Sequence, residues 1–256
     1  MFQKRYPRLS DIELIALDLT AKSVSIDSEY QLFRILAVSP RSKIKRSVYN
    51  RRRRKLFSVK EQIRKALSEK LTVCIRKFAN YHVLQEQVFA KKIIKQVLPK
   101  VIVPVRNYIY GYKLHAIVVQ MAFFLILKSR KLRYMYTLFE KHKNNFYSCV
   151  LIGDKGYLSA EYQLDLFTSK QIKLEVPMRE NQHNYERQAY LLRKTRKRIE
   201  TLFSQLCDQF LIRRNYAKSF DGYKKTILSK ITSLTVIQMI NKLLNRNINS
   251  IKSLVV

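Results

Sequence analysis

Two carboxylates stand out in this 256-residue chain because of their surroundings. Asp154 lies in "LIGDKGYLSAEYQ", residues 151–163, between glycines at the end of an apolar run, and Glu200 lies in "RKTRKRIETLFSQ", residues 193–205. Taken singly, an Asp after a strand is more often a turn-former, and a Glu on a helix flank is more often half of an ion pair. Brought side by side among Lys and Arg, they make a hard-oxygen site for Mg²⁺, which takes one or two carboxylates plus waters and phosphate oxygens. Two such ions activate a water or a 3′-hydroxyl and stabilise the leaving oxygen in phosphodiester displacement.

The surrounding elements decide whether the two can meet. "SCVLIG" reads as a short buried strand, "SAEYQLDLFTSK" as a helix capped by Ser159, and "IKLEVPM" as a strand with alternating Ile172, Leu174 and Val176. A strand, helix, strand unit makes neighbouring parallel strands. Asp154 then follows the first strand at its carboxyl end, where open α/β sheets place ligands. Gly153 and Gly156 permit a sharp turn there. A long helix over 191–212 carries an apolar stripe of Ile199, Leu202, Phe203, Leu206 and Phe210. Glu200 lies about 100° from Ile199 on its wheel, with Arg193 and Arg196 within roughly 40° of Glu200. "TILSKITSLTVIQMINKLLN" is apolar on most sides and predicts a buried closing helix.

Lys and Arg number 51 against 18 Asp and Glu, a net charge of +33. Such a field attracts polyanions, nucleic acid first, with an acidic membrane surface or acidic protein as alternatives. The longest apolar run, "LHAIVVQMAFFLIL", is too short to cross a bilayer as a helix and reads as core. No secretory signal is expected, which places the protein in the cytoplasm. Cys74, Cys149 and Cys207 lack the spacing of a zinc site or disulfide framework, and the four histidines pair with no nucleophile.

Near the start, "LSDIELIALDLTA" has helical period through Leu9, Ile12, Ile15, Ala16 and Leu19, with Ser10 or Asp11 as N-cap. Residues 43–55, "KIKRSVYNRRRRK", then place eight basic residues in thirteen positions, ahead of another amphipathic helix. Residues 1–70 thus predict a helical unit with a basic loop or arm. Arg51, Arg52, Arg53 and Arg54 are assigned to phosphate contact, which positions DNA without reading its sequence. From Leu71 to Gly153 the acids are Glu86 and Glu140 alone, against sixteen in the rest of the chain. Within that stretch "NYIYGYKLHAIVV" reads as one or two strands around Gly111.

"LIGDKGYLSAEYQLDLF", "IKLEVPMRENQ", "RKTRKRIETLFSQLCDQFLIRRNYAKS" and the opening "LSDIELIALDLTA…SIDSEYQLFRIL…RRRRKLF" resemble bacterial insertion-sequence transposases of the DDE type. The resemblance covers residues 1–70 and 149–256 and includes "YIYGYKLHA" between them. It implies an α+β fold: a ribonuclease-H-like mixed sheet flanked by helices over 71–256, preceded by a helical N-terminal DNA-binding region over 1–70. In that family two Asp and one Glu bind two Mg²⁺ and carry out DNA cleavage and strand transfer. Asp154 matches the second Asp and Glu200 the Glu, as catalytic and metal-binding residues. Arg193 and Arg196 match the basic residues that accompany the Glu, and Lys155 is either a phosphate contact or a solvated turn lysine. The implied partners are double-stranded DNA, namely terminal inverted repeats and target DNA, and a second copy in a synaptic homodimer.

One family feature is missing. Its first Asp sits on the first sheet strand, yet no Asp occurs between Lys70 and Gly111, and Glu86 in "VLQEQVF" does not match. Within the atypical segment, 72–148, the stretches of about 72–107 and 117–148 depart from the family in blocks with sharp edges while the piece between them conforms, as compensating frameshifts in a decayed gene would leave it. The expectation is an inactive copy. The competing readings are a non-catalytic basic DNA-binding protein and an RNA-associated one.

Overall fold

The computed structural model describes residues 7–73, 81–90, 100–102, 108–119, 122–128, 149–153, 160–214, 216–217 and 219–251. By contact the chain forms two units, one of residues 1–67 with 205–256 and one of residues 68–204. The sequence reading sets its boundary at residue 70 and keeps 205–256 with the catalytic region; here those residues group with the N-terminal helices.

The first unit is helical. Helices α1 (Asp11–Ser23), α2 (Glu29–Ile35), α3 (Val38–Lys43) and α4 (Arg46–Lys55) lead into α5 (Phe57–Val73). Ser10 caps α1: its hydroxyl accepts from the Glu13 amide while the Glu13 carboxylate accepts from the Ser10 amide, a reciprocal capping box. The buried face of α1 is Leu14, Ile15, Asp18, Leu19, Ala21 and Lys22, whereas Ile12 is exposed. The stripe is rotated from the apolar period because Asp18 and Lys22 turn inward to ionic partners. Leu9, Leu14, Ala21, Ile26, Leu32, Ile44 and Tyr49 form one core cluster. Each fully buried Leu or Ile there contributes about 1.5–3 kcal/mol.

The basic segment predicted as a loop or arm is helical over 46–55. It holds no Gly or Pro, and Arg is a good helix former. Acids from α1 and α2 also neutralise part of its charge, as described below.

The C-terminal helix (Phe220–Leu243) is capped by the Ser219 hydroxyl, which accepts from the Gly222 amide, and it packs against α1. Its buried Lys230 ammonium donates to Asp27 at 2.7 Å and to the Leu211 carbonyl at 3.0 Å. A buried amine is tolerated where it is paired and hydrogen-bonded.

The second unit is built on a mixed sheet of β1 (Tyr81–Ala90), β2 (Lys100–Ile102), β3 (Tyr108–Val119), β4 (Ala122–Lys128), β5 (Cys149–Ile152) and β6 (Ile172–Glu175). The strand order is β2-β3-β1-β5-β6, with β4 also on β3. β1 pairs antiparallel with β3 and parallel with β5, and β5 pairs parallel with β6. β1 is therefore the seam between an antiparallel and a parallel half. The expected strand at Gly111 is the single strand β3, and the described residues of the segment 72–148 include β1, β2, β3 and β4.

Helix α6 (Ala160–Lys170) connects β5 to β6 and packs on β6, giving the predicted strand, helix, strand unit. Ile172 and Leu174 are buried and Lys173 is exposed, the alternation that defines the face of β6. Helix α7 (Tyr190–Asp208) follows, with Ile199, Leu202, Phe203 and Leu206 buried. The C-terminal helix, Phe220–Leu243, is α8.

Candidate active site

β5 carries the chain to the first candidate residue. Leu151, Ile152 and Gly153 are buried, and the Gly153 amide donates to the Glu175 carbonyl at 2.8 Å, extending the β5–β6 ladder by one residue. Asp154 is attached directly to this anchored glycine. Asp154 and Lys155 themselves lie outside the described residues, as does the expected cap Ser159.

Glu200 is on α7, one position after fully buried Ile199, and its carboxylate is exposed. Arg196 Nη2 lies 3.4 Å from Glu200 Oε1, an i,i+4 pair in which both side chains remain solvated. Such a pair contributes a few tenths of a kcal/mol and leaves the carboxylate free to take another cation. Arg193, one turn before Arg196, has a guanidinium 6.0 Å from the Tyr190 ring centroid. Its Nε is shielded from water and has no hydrogen-bond partner among the described residues. Glu200, Arg193 and Arg196 thus share α7, with Arg196 beside Glu200 and Arg193 beside Tyr190.

Both candidate carboxylates belong to the second unit. Their donor set is carboxylate oxygen, which fits a hard divalent ion such as Mg²⁺. Cys149 begins β5, at the end of the strand away from Asp154, and burial pushes its thiol up to about 11, so it stays protonated at neutral pH. Among the described residues no group of three His, Cys, Asp or Glu could hold a metal.

The four arginines of α4 do not act alike. Arg52 donates to the Leu9 carbonyl at 2.8 Å and to Asp11 at 2.6 Å. Arg53 bridges Glu29 at 2.9 Å and Asp18 at 3.4 Å. Arg51 and Arg54 are exposed and have no acidic partner among the described residues. Sequence reasoning missed the reason for this split, the acids Asp11, Asp18 and Glu29, of which Asp18 is buried. Lys60 approaches Asp18 at 2.7 Å, and the Tyr49 hydroxyl donates to it at 3.1 Å. Burial raises the Asp18 pKa, but Lys60, Arg53 and Lys22 outweigh it and hold the carboxyl below its usual range. The signal was available: Asp18 sits one turn from Leu14 and Lys22, inside the buried stripe of α1.

A family model described as "Transposase DDE domain" matches residues 104–236, just over half of the chain, a span that contains Asp154, Glu200, Arg193 and Arg196. The chain belongs to the DDE transposase family. This family consists of metal-dependent DNA-cleaving enzymes. Among solved structures, a piggyBac transposase in a synaptic complex with hairpin DNA matches at TM-score 0.56 and 13% identity, over 95% of this chain and 69% of that one. That likeness is one of fold. A Mos1 transposase paired-end complex with left transposon end matches at TM-score 0.27 and 15% identity, over 90% of this chain and 81% of that one, too low for comparing architecture. No curated protein matches the sequence. With its mixed sheet and flanking helices, the DDE transposase described here fits the ribonuclease-H-like class. Among its described residues no helix is long and apolar enough to cross a membrane.

Proposed function

We propose that this DDE transposase descends from a bacterial insertion sequence, binds the inverted repeats at the ends of its element as a homodimer in the cytoplasm, and no longer completes strand transfer. The observation that carries the site is that Asp154 directly follows the buried carboxyl end of β5 while Glu200 stands exposed on α7 of the same unit. Asp154 and Glu200 would hold the divalent ion, Mg²⁺ in the cell. When bound, the ion supplies Lewis-acid activation of water or a 3′-hydroxyl and stabilises the leaving oxygen.

The remaining roles follow from charge and position. Arg193 and Arg196 would orient phosphates beside Glu200 through their planar forks, Arg196 from its loose pair with Glu200. Lys155 adds a phosphate contact at the strand end. In the helical unit, Arg51 and Arg54 meet DNA phosphates, while Arg52 and Arg53 hold α4 against its acidic neighbours.

Inactivity is supported by β1, which occupies the seam of the sheet yet holds no Asp, its one acid being Glu86. With Asp154 and Glu200 alone, two carboxylates would have to hold what the family holds with three. Asp154 and Glu200 alone would hold at most one ion, and the protein persists as a DNA binder. The test is a mobility-shift and end-joining assay with duplexes bearing the flanking repeats of its gene. The expected result is salt-sensitive binding that prefers the repeats, with no joined product in Mg²⁺. Efficient Mg²⁺-dependent joining would overturn the inactivity, and equal affinity for duplex RNA would favour an RNA-associated role.

A further inference from the structure

We infer that α4 is a base-reading helix whose Asn50, flanked by Arg46, Arg51 and Arg54, sets a sequence preference in the DNA major groove; this rests on the DNA-binding reading above. α4 has ten residues, a length of about 15 Å, and an α-helix of that size fits the major groove. None of its residues is acidic.

Its two faces are sharply different. Tyr49 is buried and Val48 packs against the same core, while Arg52 and Arg53 are tied to Asp11, Asp18 and Glu29. These four residues fall on one half of the helical wheel. On the other half, spanning roughly 180°, come Arg46, Asn50, Arg54, Ser47, Arg51 and Lys55. The buried half fixes the helix by core packing and three ion pairs, so the outer half is presented on a rigid support.

Three details point to a ligand on that outer half. An open groove of about 500 Å³ runs along it, lined by Glu29, Arg46, Ser47, Asn50, Arg51 and Arg54. Glu29, the one acid there, is already neutralised by Arg53 at 2.9 Å. The Arg46 guanidinium lies 3.7 Å from the ring centroid of exposed Tyr30, which holds its fork in place before any partner arrives. Asn50, which lines the groove, has a shielded Oδ1 with no hydrogen-bond partner among the described residues. Its amide carries one donor and one acceptor side by side, and both reach a base edge once the side chain turns outward into the groove. That pair matches the acceptor and donor on the major-groove edge of adenine, and the flanking Arg forks match guanine or phosphate. Duplex RNA is a poorer occupant, because its major groove is too narrow for side chains to read.

The test uses the full chain with a randomised duplex DNA library, sequencing of the bound fraction, and salt titration. Wild type should enrich a short motif containing adenine. Asn50→Ala should keep the wild-type melting temperature and salt slope while discrimination at one or two positions falls about 5–150-fold. The double variant Arg51→Ala/Arg54→Ala should instead lower the log–log salt slope by about 2. If wild type shows no salt-dependent binding to duplex DNA, the DNA-binding reading itself fails. If wild type binds DNA without preference, or Asn50→Ala retains the full motif, DNA binding stands and the base-reading role of Asn50 is refuted.

Discussion

Asp18 and Glu200 are both carboxylates in a chain of net charge +33, and the structure treats them in opposite ways. Asp18 is fully buried in the helical unit and clasped by Lys60, Arg53 and Tyr49. Glu200 stands on the surface of α7 with Arg196 at 3.4 Å as a loose neighbour. In a basic protein, a carboxylate saturated by ammonium and guanidinium groups stabilises structure, whereas one left solvated remains available to a metal ion. The surplus of basic residues does not decide between these outcomes; burial does.

The strongest way to break this contrast is to strip Asp18 of its main cation. Lys60→Met should cost roughly 3–5 kcal/mol, measured by urea unfolding at pH 7, because it leaves a buried charge under-compensated. The pH dependence has a definite sign. The folded-state pKa of Asp18 lies below its unfolded value, so the stability it contributes is present above about pH 4 and lost as pH falls through the folded pKa. Asp18→Asn should therefore flatten the acid limb of the stability curve.

Within α4 the same contrast can be sharpened between neighbours. Arg52→Ala should cost about 1–2 kcal/mol through its lost bonds to Asp11 and the Leu9 carbonyl, and leave the salt slope of DNA binding unchanged. Arg51→Ala should do the reverse, keeping stability within about 0.5 kcal/mol and reducing the slope by about 1. A smaller effect concerns Cys149: with its thiol pushed up to about 11, native protein at pH 7.5 should resist iodoacetamide at this residue and react after unfolding.

The parts legible in the sequence were those governed by local periodicity. The buried stripe Ile199, Leu202, Phe203, Leu206 and Phe210, the alternation of Ile172 and Leu174, and the Ser10 cap all follow from spacing alone. What was not legible depended on distant partners. The run Arg51–Arg54 reads as one charge block, but Asp11, Asp18 and Glu29 divide it into two structural and two solvent-facing arginines. β1 was hidden because "YHVLQEQVFA" lacks both an Asp and a clean alternation, and its identity as a strand comes from pairing with β3 and β5. At the candidate site, the strand end at Gly153 and the exposed flank of α7 were readable from pattern, and Asp154 lies outside the described residues.

The most direct test of the carboxylate site is Mn²⁺ titration followed by electron paramagnetic resonance on the full chain, comparing wild type with Asp154→Asn and Glu200→Gln. Wild type should bind one ion that each variant loses, with Glu200→Gln melting within about 0.5 kcal/mol of wild type because its ion pair is solvated. Unchanged Mn²⁺ binding in both variants would contradict a shared metal site at Asp154 and Glu200.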